Sequence, residues 1–553
     1  MPSRRRRESS LCVWVGLLIV LGLTIAAVNM RWQHLFQALR LQPAPPTSLA
    51  SASAKTPAWH RPDPHHLNQR YWMHELHGVL HTMQSTYWNG TCWPDTIQWI
   101  GAVLNTLVAA SDRTLVRRST QMVDQTAPLN PTTDVERYLG HVHSYLHGED
   151  VDQIFDAAYD DAQWVVLEWL EAIQLMREFP SSHAHDRISE YAHRAHIFYN
   201  IVQDQFNTSQ CGGGVTWNPE LATYKNAITN ELFLSASMAM YLDFPGDGNA
   251  DPYPSEAYRN ASSHNRTLPD LPSLDMHDPR LLQNAVQEYE WFATHNFTNA
   301  QGLVVDGFHI SPHQSTCDKR NEMVYTYNQA VLLSGLRGLW EVTGTSTYLM
   351  EGYRMVEAVM NATGWSAETR AAAGEWAGLG RNGILEDYCD ARGNCSQDNL
   401  IFKGVYFHHL HAFCSPLPTK MPSLEHRTHL ASAATAKRHG EKCASYLYWV
   451  LHNAAAALST RTDDGLIALW WGTSDPDKSR ASAPPSVKLP SGAIDVRNLE
   501  GPGSASTTKR RTRRTVETQG SGVAVVRAAA DFVRWFDAGW EEKVVVRNAR
   551  EDT

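Results

Sequence analysis

Apolar side chains recur along this chain at helical spacing. Between Asp160 and Glu178, one buried face is predicted by apolar residues at i, i+3, i+4 and i+7, namely Val166, Trp169, Leu170 and Ile173. The same kind of pattern predicts further helices over the segments 67–86, 99–115, 189–204, 227–242, 281–294, 325–342, 346–362, 400–413, 443–459 and 523–536. Alternating strand patterns are almost absent, so the sequence favours an all-α fold.

The order of the helices suggests how they are arranged. Thr343-Gly-Thr joins the segments 325–342 and 346–362 by a short turn, which predicts an antiparallel helical hairpin. About a dozen helices in consecutive hairpins fit a toroid, in which helices alternate between an inner and an outer ring around a central pocket. Helical periodicity by itself does not specify a toroid, so this part of the prediction rests on number and order.

Two segments interrupt the helical pattern within the predicted domain, 67–545. Residues 243–274 are rich in Pro, Ser and Asn, which predicts an exposed insertion. Residues 472–515 are rich in Ser, Pro and Gly and end in a basic run at 509–514, which predicts a disordered loop with a solvated charge run.

The N-terminus has the pattern of a membrane anchor. A basic tail, 1–10, precedes an apolar run of 18 residues from Leu11 to Val28, at the lower limit of a membrane span. A stem rich in Pro, Ala and Ser follows over 29–66. The positive flank predicts a type II membrane protein with its domain in the lumen or outside the cell. A cleaved signal peptide, which would release the protein, remains an alternative.

Glycosylation and cysteine patterns agree with the secretory route. Seven Asn-X-Ser/Thr sequons begin at Asn89, Asn207, Asn260, Asn265, Asn296, Asn361 and Asn394. Eight cysteines are present, and Cys12 lies in the apolar run. The seven that remain are an odd number, so at least one is expected to be free or paired between chains. Cys389 and Cys395 are close enough to close a small loop, whereas the other pairs cannot be assigned.

Composition narrows the classes of partner. The formal net charge is −10, and the basic residues form no nucleic-acid footprint, so we expect no nucleic-acid partner. The chain has 19 Trp and 20 Tyr, and such aromatic rings commonly line pockets for sugars. No Cys-X-X-Cys pattern suggests zinc, and His408, His409 and His411 are better explained by packing or hydrogen bonding.

The most informative chemistry is the adjacent pair Asp160-Asp161 at the start of the predicted helix 160–178. Most glycosidases need two carboxyl groups, one to attack or to activate water and one to protonate the leaving oxygen. Acidic residues are also favoured in the first turn of any helix, because they meet the positive end of its dipole. The pair alone leaves both interpretations open.

Other polar and aromatic segments lie near helix starts. Three glycines precede Trp217 in Cys211-Gly-Gly-Gly-Val-Thr-Trp, and glycines permit unusual backbone angles and the close approach of a ligand. Tyr224 to Glu231, Gly302 to Gly307 and Tyr325 to Gln329 offer amides, phenols and a lone acid. Such side chains suit recognition of sugar hydroxyls, but they also suit helix caps and turns.

In their order along the chain, these segments resemble the glycoside hydrolase family 76 α-1,6-mannanases, in particular the fungal secretory branch. The resemblance extends over about 67–540 without the two insertions. It is carried by Tyr159-Asp-Asp with the following helix to Ile173, Gln210-Cys-Gly-Gly-Gly-Val-Thr-Trp217, Tyr224-Lys-Asn-Ala-Ile-Thr-Asn-Glu-Leu-Phe233, Thr326-Tyr-Asn-Gln329, Leu332 to Glu341, Phe402-Lys-Gly404, Phe407-His-His-Leu410 and Thr515-Val-Glu-Thr-Gln519.

The resemblance implies an (α/α)6 barrel and endo-type cleavage of α-1,6-linked mannose backbones with retention of configuration. It implies that Asp160 is the nucleophile and Asp161 the general acid/base, with no metal and no cofactor. Trp164 or Trp217 would supply a stacking wall. We further expect sugar hydroxyl contacts from Asn226, Asp306, Tyr327 and Asn328.

The expected function is therefore that of a membrane-anchored or secreted enzyme whose partner is α-1,6-mannan or another mannose-containing glycan. The alternatives are a transglycosylase of cell-wall assembly, which uses the same intermediate with a sugar acceptor, and a non-catalytic mannan-binding wall protein. Another all-α toroid, such as a terpene-cyclase-like enzyme, would need Asp-rich metal motifs at both ends of its pocket, and the sequence shows one acidic pair.

Overall fold

The computed structural model describes residues 67–119, 131–155, 158–178, 187–248, 271–365, 375–420, 429–472 and 514–539. All of them belong to one compact unit. The predicted basic tail, membrane helix and stem lie outside these ranges, as do most residues of the two predicted insertions. Within the ranges, no helix has both the length and the apolar character needed to cross a membrane.

The described part of the chain is mostly helical. In chain order the helices are α1 (Gln69–Tyr87), α2 (Gln98–Ser119), α3 (Pro131–Gly148), α4 (Val151–Phe155), α5 (Tyr159–Glu178), α6 (Ile188–Val202), α7 (Ala227–Asp243), α8 (Pro279–Thr294), α9 (Val331–Thr343), α10 (Ser346–Ala362), α11 (Phe402–Cys414), α12 (Ala433–Ala444), α13 (Leu447–Ser459) and α14 (Val516–Asp537).

Six of these helices form a closed inner ring. Helix α2 packs on α5, α5 on α7, α7 on α9, α9 on α11, α11 on α14, and α14 on α2. Each inner helix also contacts an outer one: α3 lies on α2, α6 on α5, α8 on α7, α10 on α9, α12 on α11, and both α1 and α13 on α14. This double ring confirms the (α/α)6 prediction for the described residues.

Helix α14 completes the ring although a long insertion separates it from α13. Its start is fixed by a capping box, in which Thr515 and Thr518 each accept a hydrogen bond from the other's backbone amide. Every residue from Val516 to Val533 is buried, as expected of a helix that is surrounded by neighbours on all sides. The insertion 472–515 therefore interrupts the sequence of the barrel and not its helical packing.

The other predicted insertion, 243–274, begins at the end of α7. Asp247 and Leu274 exchange backbone hydrogen bonds of 2.8 and 2.9 Å, so the two ends of the insertion are joined by an antiparallel bridge. This arrangement allows an insertion at 249–270 without a change in the position of α8.

Short strands are the main departure from the all-α prediction. β1 (Tyr224–Asn226), β2 (Gly307–His309) and β3 (Lys319–Asn321) form an antiparallel sheet, and β4 (Gly380–Arg381) pairs with β5 (Ile384–Leu385). Strands of two or three residues are too short for an alternating pattern to be recognised in the sequence. The first sheet runs between the chain segments that precede α7 and α9.

Some helix boundaries also differ from the prediction. The sequence predicts one helix over 325–342, but the structure has a 3-10 turn at Tyr327–Gln329 before α9. Side chains of this turn bond to distant residues, which local periodicity does not reveal. Helices α3, α4 and α12 are not predicted by the apolar pattern, and α12 buries just His439, Gly440 and Cys443.

Three disulfides connect the described cysteines. Cys389–Cys395 is the small loop that the sequence predicts, and the other two bonds are Cys211–Cys317 and Cys414–Cys443. Cys92 is the free cysteine of the described residues, which agrees with the expected odd thiol.

Gly404 of α11 brings two inner helices into close contact. A methyl group at this position would come within 2.9 Å of Ser521 Cα on α14. We expect Gly404→Ala to lower the free energy of unfolding by about 1–3 kcal/mol, because overpacking must separate the helices. Gly78 of α1 is the matched control: nothing lies within 4 Å of its added methyl group. Gly78→Ala should raise stability by about 0.5–1 kcal/mol. Urea unfolding measures both changes, and equal effects would contradict the close contact.

Candidate active site

Asp160 and Asp161 lie in the first turn of α5, an inner helix. The amide of Tyr159 donates to the carbonyl of Trp217 at 2.9 Å, which ties the helix start to the glycine-rich loop. Gln163 donates to the carbonyl of Tyr159 at 3.0 Å and to that of Thr229 at 3.1 Å. Asp160 is 8% exposed and Asp161 is half-buried. The two carboxyl groups are therefore held on a rigid backbone rather than on a mobile loop.

The two carboxyl groups differ in acidity. Burial raises the pKa of Asp160 to about 7, although nearby backbone amides and the Trp217 side chain donate to its carboxylate and oppose the rise. Burial and the negative charges of Asp160 and Asp398 raise the pKa of Asp161 well above its ordinary value. Asp160 accordingly ionises first while Asp161 keeps its proton, as a nucleophile and a general acid require.

The glycine-rich loop delivers Trp217 to this pair. Gly213 and Gly214 have φ angles of 154° and 76°, and a side chain on either would collide with Trp291. Lys225 donates to the carbonyl of Gly214 at 2.5 Å, and the Cys211–Cys317 disulfide closes the loop at its start. These contacts fix the position from which the Trp217 indole donates to Asp160.

Asp306 is the centre of a second polar group beside the pair. Its carboxylate accepts hydrogen bonds from Tyr224, from Asn321 at 2.9 Å and from Asn328 at 3.3 Å. The short β-sheet explains this convergence, because Tyr224 begins β1, Asp306 precedes β2 and Asn321 ends β3. Burial raises the pKa of Asp306, and these donors oppose the rise.

Tyr327 lies between the two polar groups. Its ring stacks on Phe402, with a centroid distance of 3.7 Å and an interplanar angle of 6°. Burial and the charges of Asp306 and Asp160 raise the pKa of Tyr327 well above its ordinary value. Its phenol therefore stays neutral near both carboxylates and can donate or accept a hydrogen bond.

Trp164 and Asn226, two of the residues expected to contact sugar, are buried and have partners within the protein. Trp164 is 5% exposed, stacks on Trp99 of α2 at 5.7 Å and also lies beside His409. Asn226 is 5% exposed and caps α7 by accepting from the amide of Thr229 at 3.4 Å. The structure thus brings Trp217, Asp306 and Tyr327 to the aspartate pair. Trp164, Asn226 and Asn328 are buried, with exposed fractions of 5%, 5% and 0%, and their sugar contacts remain predictions.

Two further acidic residues near the site, Asp398 and Asp387, were not predicted from the sequence. Asp398, in a 3-10 turn before α11, acts on the pKa of Asp161 and accepts from the Trp99 indole at 3.2 Å. Asp387 fixes the turn that carries Tyr327, because it accepts from the amide and the hydroxyl of Thr326 at 2.8 and 2.7 Å. Only the nearby Phe402-Lys-Gly404 motif pointed towards Asp398, and no local pattern pointed to Asp387.

Candidate metal ligands in the described ranges have other partners. The one group with suitably close atoms is Cys389, Asp390 and Cys395, but its sulfurs form a disulfide and Asp390 accepts from Lys403 at 2.5 Å. The histidines of α11 also diverge. His409 bonds to Ser334 and His411 to Asp531, each at 2.8 Å, and His408 approaches Arg527 at 3.4 Å.

Comparison with known families agrees with this geometry. The family model of glycosyl hydrolase family 76 matches residues 65–253 and 274–460, more than half of the chain. The chain belongs to glycosyl hydrolase family 76. Asp160, Asp161, Asp306 and Asp398 all lie inside the matched ranges, and the gap in the match coincides with the insertion after α7. Helix α14 lies beyond the match, although it completes the inner ring of this family 76 barrel.

Individual relatives are distant. A putative mannan endo-1,6-α-mannosidase of Schizosaccharomyces pombe is 23% identical over 276 residues, 48% of this chain and 51% of the relative. The chain thus spans about half the length of the curated relative it matches. The structure of the α-1,6-mannanase GH76A from Salegentibacter sp. HEL1_6 is similar with a TM-score of 0.50 and 17% identity, over 83% of this chain and 99% of that one.

A second structural neighbour is Dfg5 from Chaetomium thermophilum, crystallised with glucosamine. Its TM-score is 0.51 at 14% identity, over 85% of this chain and 92% of that one. At such identities the two structural likenesses support the barrel fold.

Proposed function

We propose that this family 76 protein is a retaining endo-α-1,6-mannanase. The observation that carries the proposal is the pair Asp160-Asp161, held at one end of the inner ring with the first carboxyl more acidic than the second. Family membership makes the protein a glycoside hydrolase. The names of the yeast relative and the bacterial structural neighbour support α-1,6-mannan as the substrate.

In the proposed mechanism the carboxylate of Asp160 attacks the anomeric carbon of a mannose unit. The glycosidic bond breaks, and Asp161 gives its proton to the departing oxygen, which leaves a mannosyl-enzyme ester. Asp161, now ionised, then removes a proton from water as the water oxygen attacks the anomeric carbon. Asp160 leaves as a carboxylate, and two inversions give net retention of configuration.

The polar group around Asp306 is suited to hold the sugar during these steps. The Asp306 carboxylate can accept hydrogen bonds from sugar hydroxyl groups, and the buried side chain of Asn328 donates to that carboxylate at 3.3 Å. Tyr327 offers a neutral phenol between Asp306 and Asp160. Hydrogen bonds to sugar hydroxyls that strengthen in the transition state contribute several kcal/mol in glycosidases.

The proposed site of action is the secretory route, with the N-terminal apolar segment as a membrane anchor or as a cleaved signal. Five sequon asparagines lie in the described residues, and all five are exposed: Asn89, Asn207, Asn296, Asn361 and Asn394. Exposed acceptors are what glycosylation in that route requires. The proposed anchor remains a prediction from the sequence.

Transglycosylation is the second candidate, because the same mannosyl-enzyme can react with a sugar hydroxyl in place of water. The neighbour crystallised with an amino sugar favours this candidate. A non-catalytic mannan-binding role is the weaker alternative, since both carboxyl groups are present at the start of α5 and differ in acidity.

Digestion of debranched α-1,6-mannan by the purified full chain distinguishes these candidates. We expect short manno-oligosaccharides whose first-formed anomer, observed by NMR, has the α configuration of the substrate. Longer products on addition of acceptor sugars would favour transfer. Binding of the polymer without any new product would favour the non-catalytic role, and a β-anomer formed first would exclude the retaining mechanism.

Trp217→Phe tests the hydrogen bond to Asp160. The indole N–H stabilises the ionised carboxylate, so its loss should raise the pKa of Asp160 further. Activity that needs ionised Asp160 rises as pH increases through this pKa. We therefore expect the acidic limb of kcat/KM to move to higher pH by about half a unit to one unit. The alkaline limb, governed by Asp161, is the internal control, and equal movement of both limbs would contradict this assignment.

A further inference from the structure

Asp398 belongs to a short segment beside the candidate active site that is held at both of its ends. One carboxylate oxygen accepts from the Trp99 indole at 3.2 Å, and the other accepts from the Ser396 hydroxyl at 3.2 Å. Four residues later, Phe402 stacks on Tyr327 at 3.7 Å. The turn between these two anchors therefore forms part of the wall beside the aspartate pair.

The same contacts connect Asp398 to the helix that carries the pair. Trp99, which holds Asp398, stacks on Trp164 with a centroid distance of 5.7 Å. Trp164 stands three residues after Asp161 and so lies on the same side of α5, one turn below it. Two buried indoles thus fix the distance between the Asp398 turn and the start of α5.

The rest of the segment is rigid. The Cys389–Cys395 disulfide ends three residues before Asp398, and Gln397 donates to Glu517 of α14 at 2.7 Å. After the turn, the ammonium of Lys403 is paired with buried Asp390. These contacts fix the backbone on both sides of Asp398, whose carboxylate is held by its two donors at 3.2 Å.

We propose that Asp398 is a positioning residue of the active site, whose fixed negative charge keeps the catalytic proton on Asp161. Three carboxyl groups then share the site: Asp160 carries the charge that attacks, Asp398 carries the charge that repels, and Asp161 between them stays neutral. Like charges at close range disfavour a further ionisation in a buried site. This inference rests on the proposed role of Asp161 as the proton donor.

Other charged groups around the pair do not replace Asp398 in this role. The influence of Asp306 falls on Asp160 and Tyr327, and burial lowers the pKa of His409, beside Trp164, to about 3, so that its ring is neutral. Groups that act on Asp161 itself are Asp160, on its own helix, and Asp398, from the facing turn.

The test is the pH profile of Asp398→Asn on debranched α-1,6-mannan. Asparagine keeps an oxygen to accept from Trp99 and removes the charge. Without that charge the pKa of Asp161 falls, so the proton is lost at lower pH. We expect the alkaline limb of kcat/KM to move down by roughly one pH unit, with the acidic limb moved less. Asp398→Glu keeps the negative charge, so its alkaline limb should lie close to that of the parent protein. Asp463→Asn removes an equal charge at an exposed position and should leave the alkaline limb in place.

Thermal unfolding as a function of pH gives a readout that needs no activity. A folded-state pKa of Asp161 above its unfolded value means that stability is full at low pH and is lost as pH rises from about 4 towards that folded pKa. Asp398→Asn removes a negative charge that opposes ionisation of Asp161, so this variant should lose less stability as the pH rises. Its Tm relative to that of Asp463→Asn should therefore increase with pH between about 4 and 8.

The outcomes separate this inference from the proposed function. An inactive parent protein would contradict the mannanase, while the Tm comparison would still test the effect of Asp398 on Asp161. An unmoved alkaline limb in an active Asp398→Asn variant, or a Tm difference that does not change with pH, would overturn the role of Asp398. A lower kcat with both limbs in place would also overturn it, because that result indicates a direct sugar contact or a structural role.

Discussion

Replacement of either aspartate of the pair by asparagine is expected to abolish most of the activity on α-1,6-mannan. Asp161→Asn loses general acid/base catalysis, which contributes about 10²–10⁴-fold. Asp160→Asn loses the attacking group, and we expect a decrease of at least about 10⁴-fold, as for other catalytic nucleophiles. Product release from debranched mannan measures both losses.

A substrate with a good leaving group separates the two roles. An aryl α-mannoside with an acidic phenol leaves without protonation, so Asp161→Asn should still release one equivalent of phenol quickly and then turn over slowly. Asp160→Asn should show no such burst. Asp306→Asn is the matched control at a third carboxylate of the site, and we expect it to weaken turnover without a burst. A burst in Asp160→Asn rather than in Asp161→Asn would reverse the assignment.

Loss of Arg194 is expected to have the largest effect on stability. Its guanidinium forms a buried ion pair with Glu149, whose side chain also accepts from the Trp169 indole at 3.3 Å. The two charged side chains are 3% and 0% exposed. Arg194→Met leaves the carboxylate without its counter-charge, and we expect the free energy of unfolding to fall by about 3–5 kcal/mol at neutral pH. Because Trp169 belongs to α5, this pair also supports the helix that carries Asp160 and Asp161.

The pH dependence of that loss provides its check. Burial raises the pKa of Glu149, and Arg194 opposes the rise. Without Arg194 the folded protein retains the Glu149 proton to higher pH, so the variant should lose stability as pH increases from about 5 to 8. Arg280→Met is the matched control: its pair with Asp278 is 58% exposed on the arginine side, and its loss should cost at most about 1 kcal/mol. Urea unfolding at both pH values measures these changes, and similar costs for the two variants would contradict the argument.

The sequence could predict those features that depend on neighbouring residues. The apolar spacing of Val166, Trp169, Leu170 and Ile173 indicates α5 because helical faces repeat every three to four residues. Cys389 and Cys395 could be paired because a separation of six residues limits where their sulfurs can go. The aspartate pair was recognisable because its two members are adjacent and begin a helix.

The composition of the site required the tertiary structure. Trp99 and Asp398 are 299 residues apart, and Tyr224 and Asp306 are 82 residues apart. No local pattern predicts such pairs, because closure of the inner ring and the short sheet brings them together. The contact between the rings of Trp99 and Trp164 is another example, because these residues belong to two different inner helices.

By itself, then, the sequence determined a mostly helical chain, most of its helices in their order, its resemblance to family 76 and its acidic pair. The tertiary structure decided that α14 closes the barrel, that Asp306 and Tyr327 come close to the pair, that Asn328 donates to Asp306, and that Asp387 holds the turn at Thr326. The physical reason is that helix formation follows contacts three or four residues apart. The acidity of Asp160 and Asp161, by contrast, follows from burial and from charges that only ring closure places beside them.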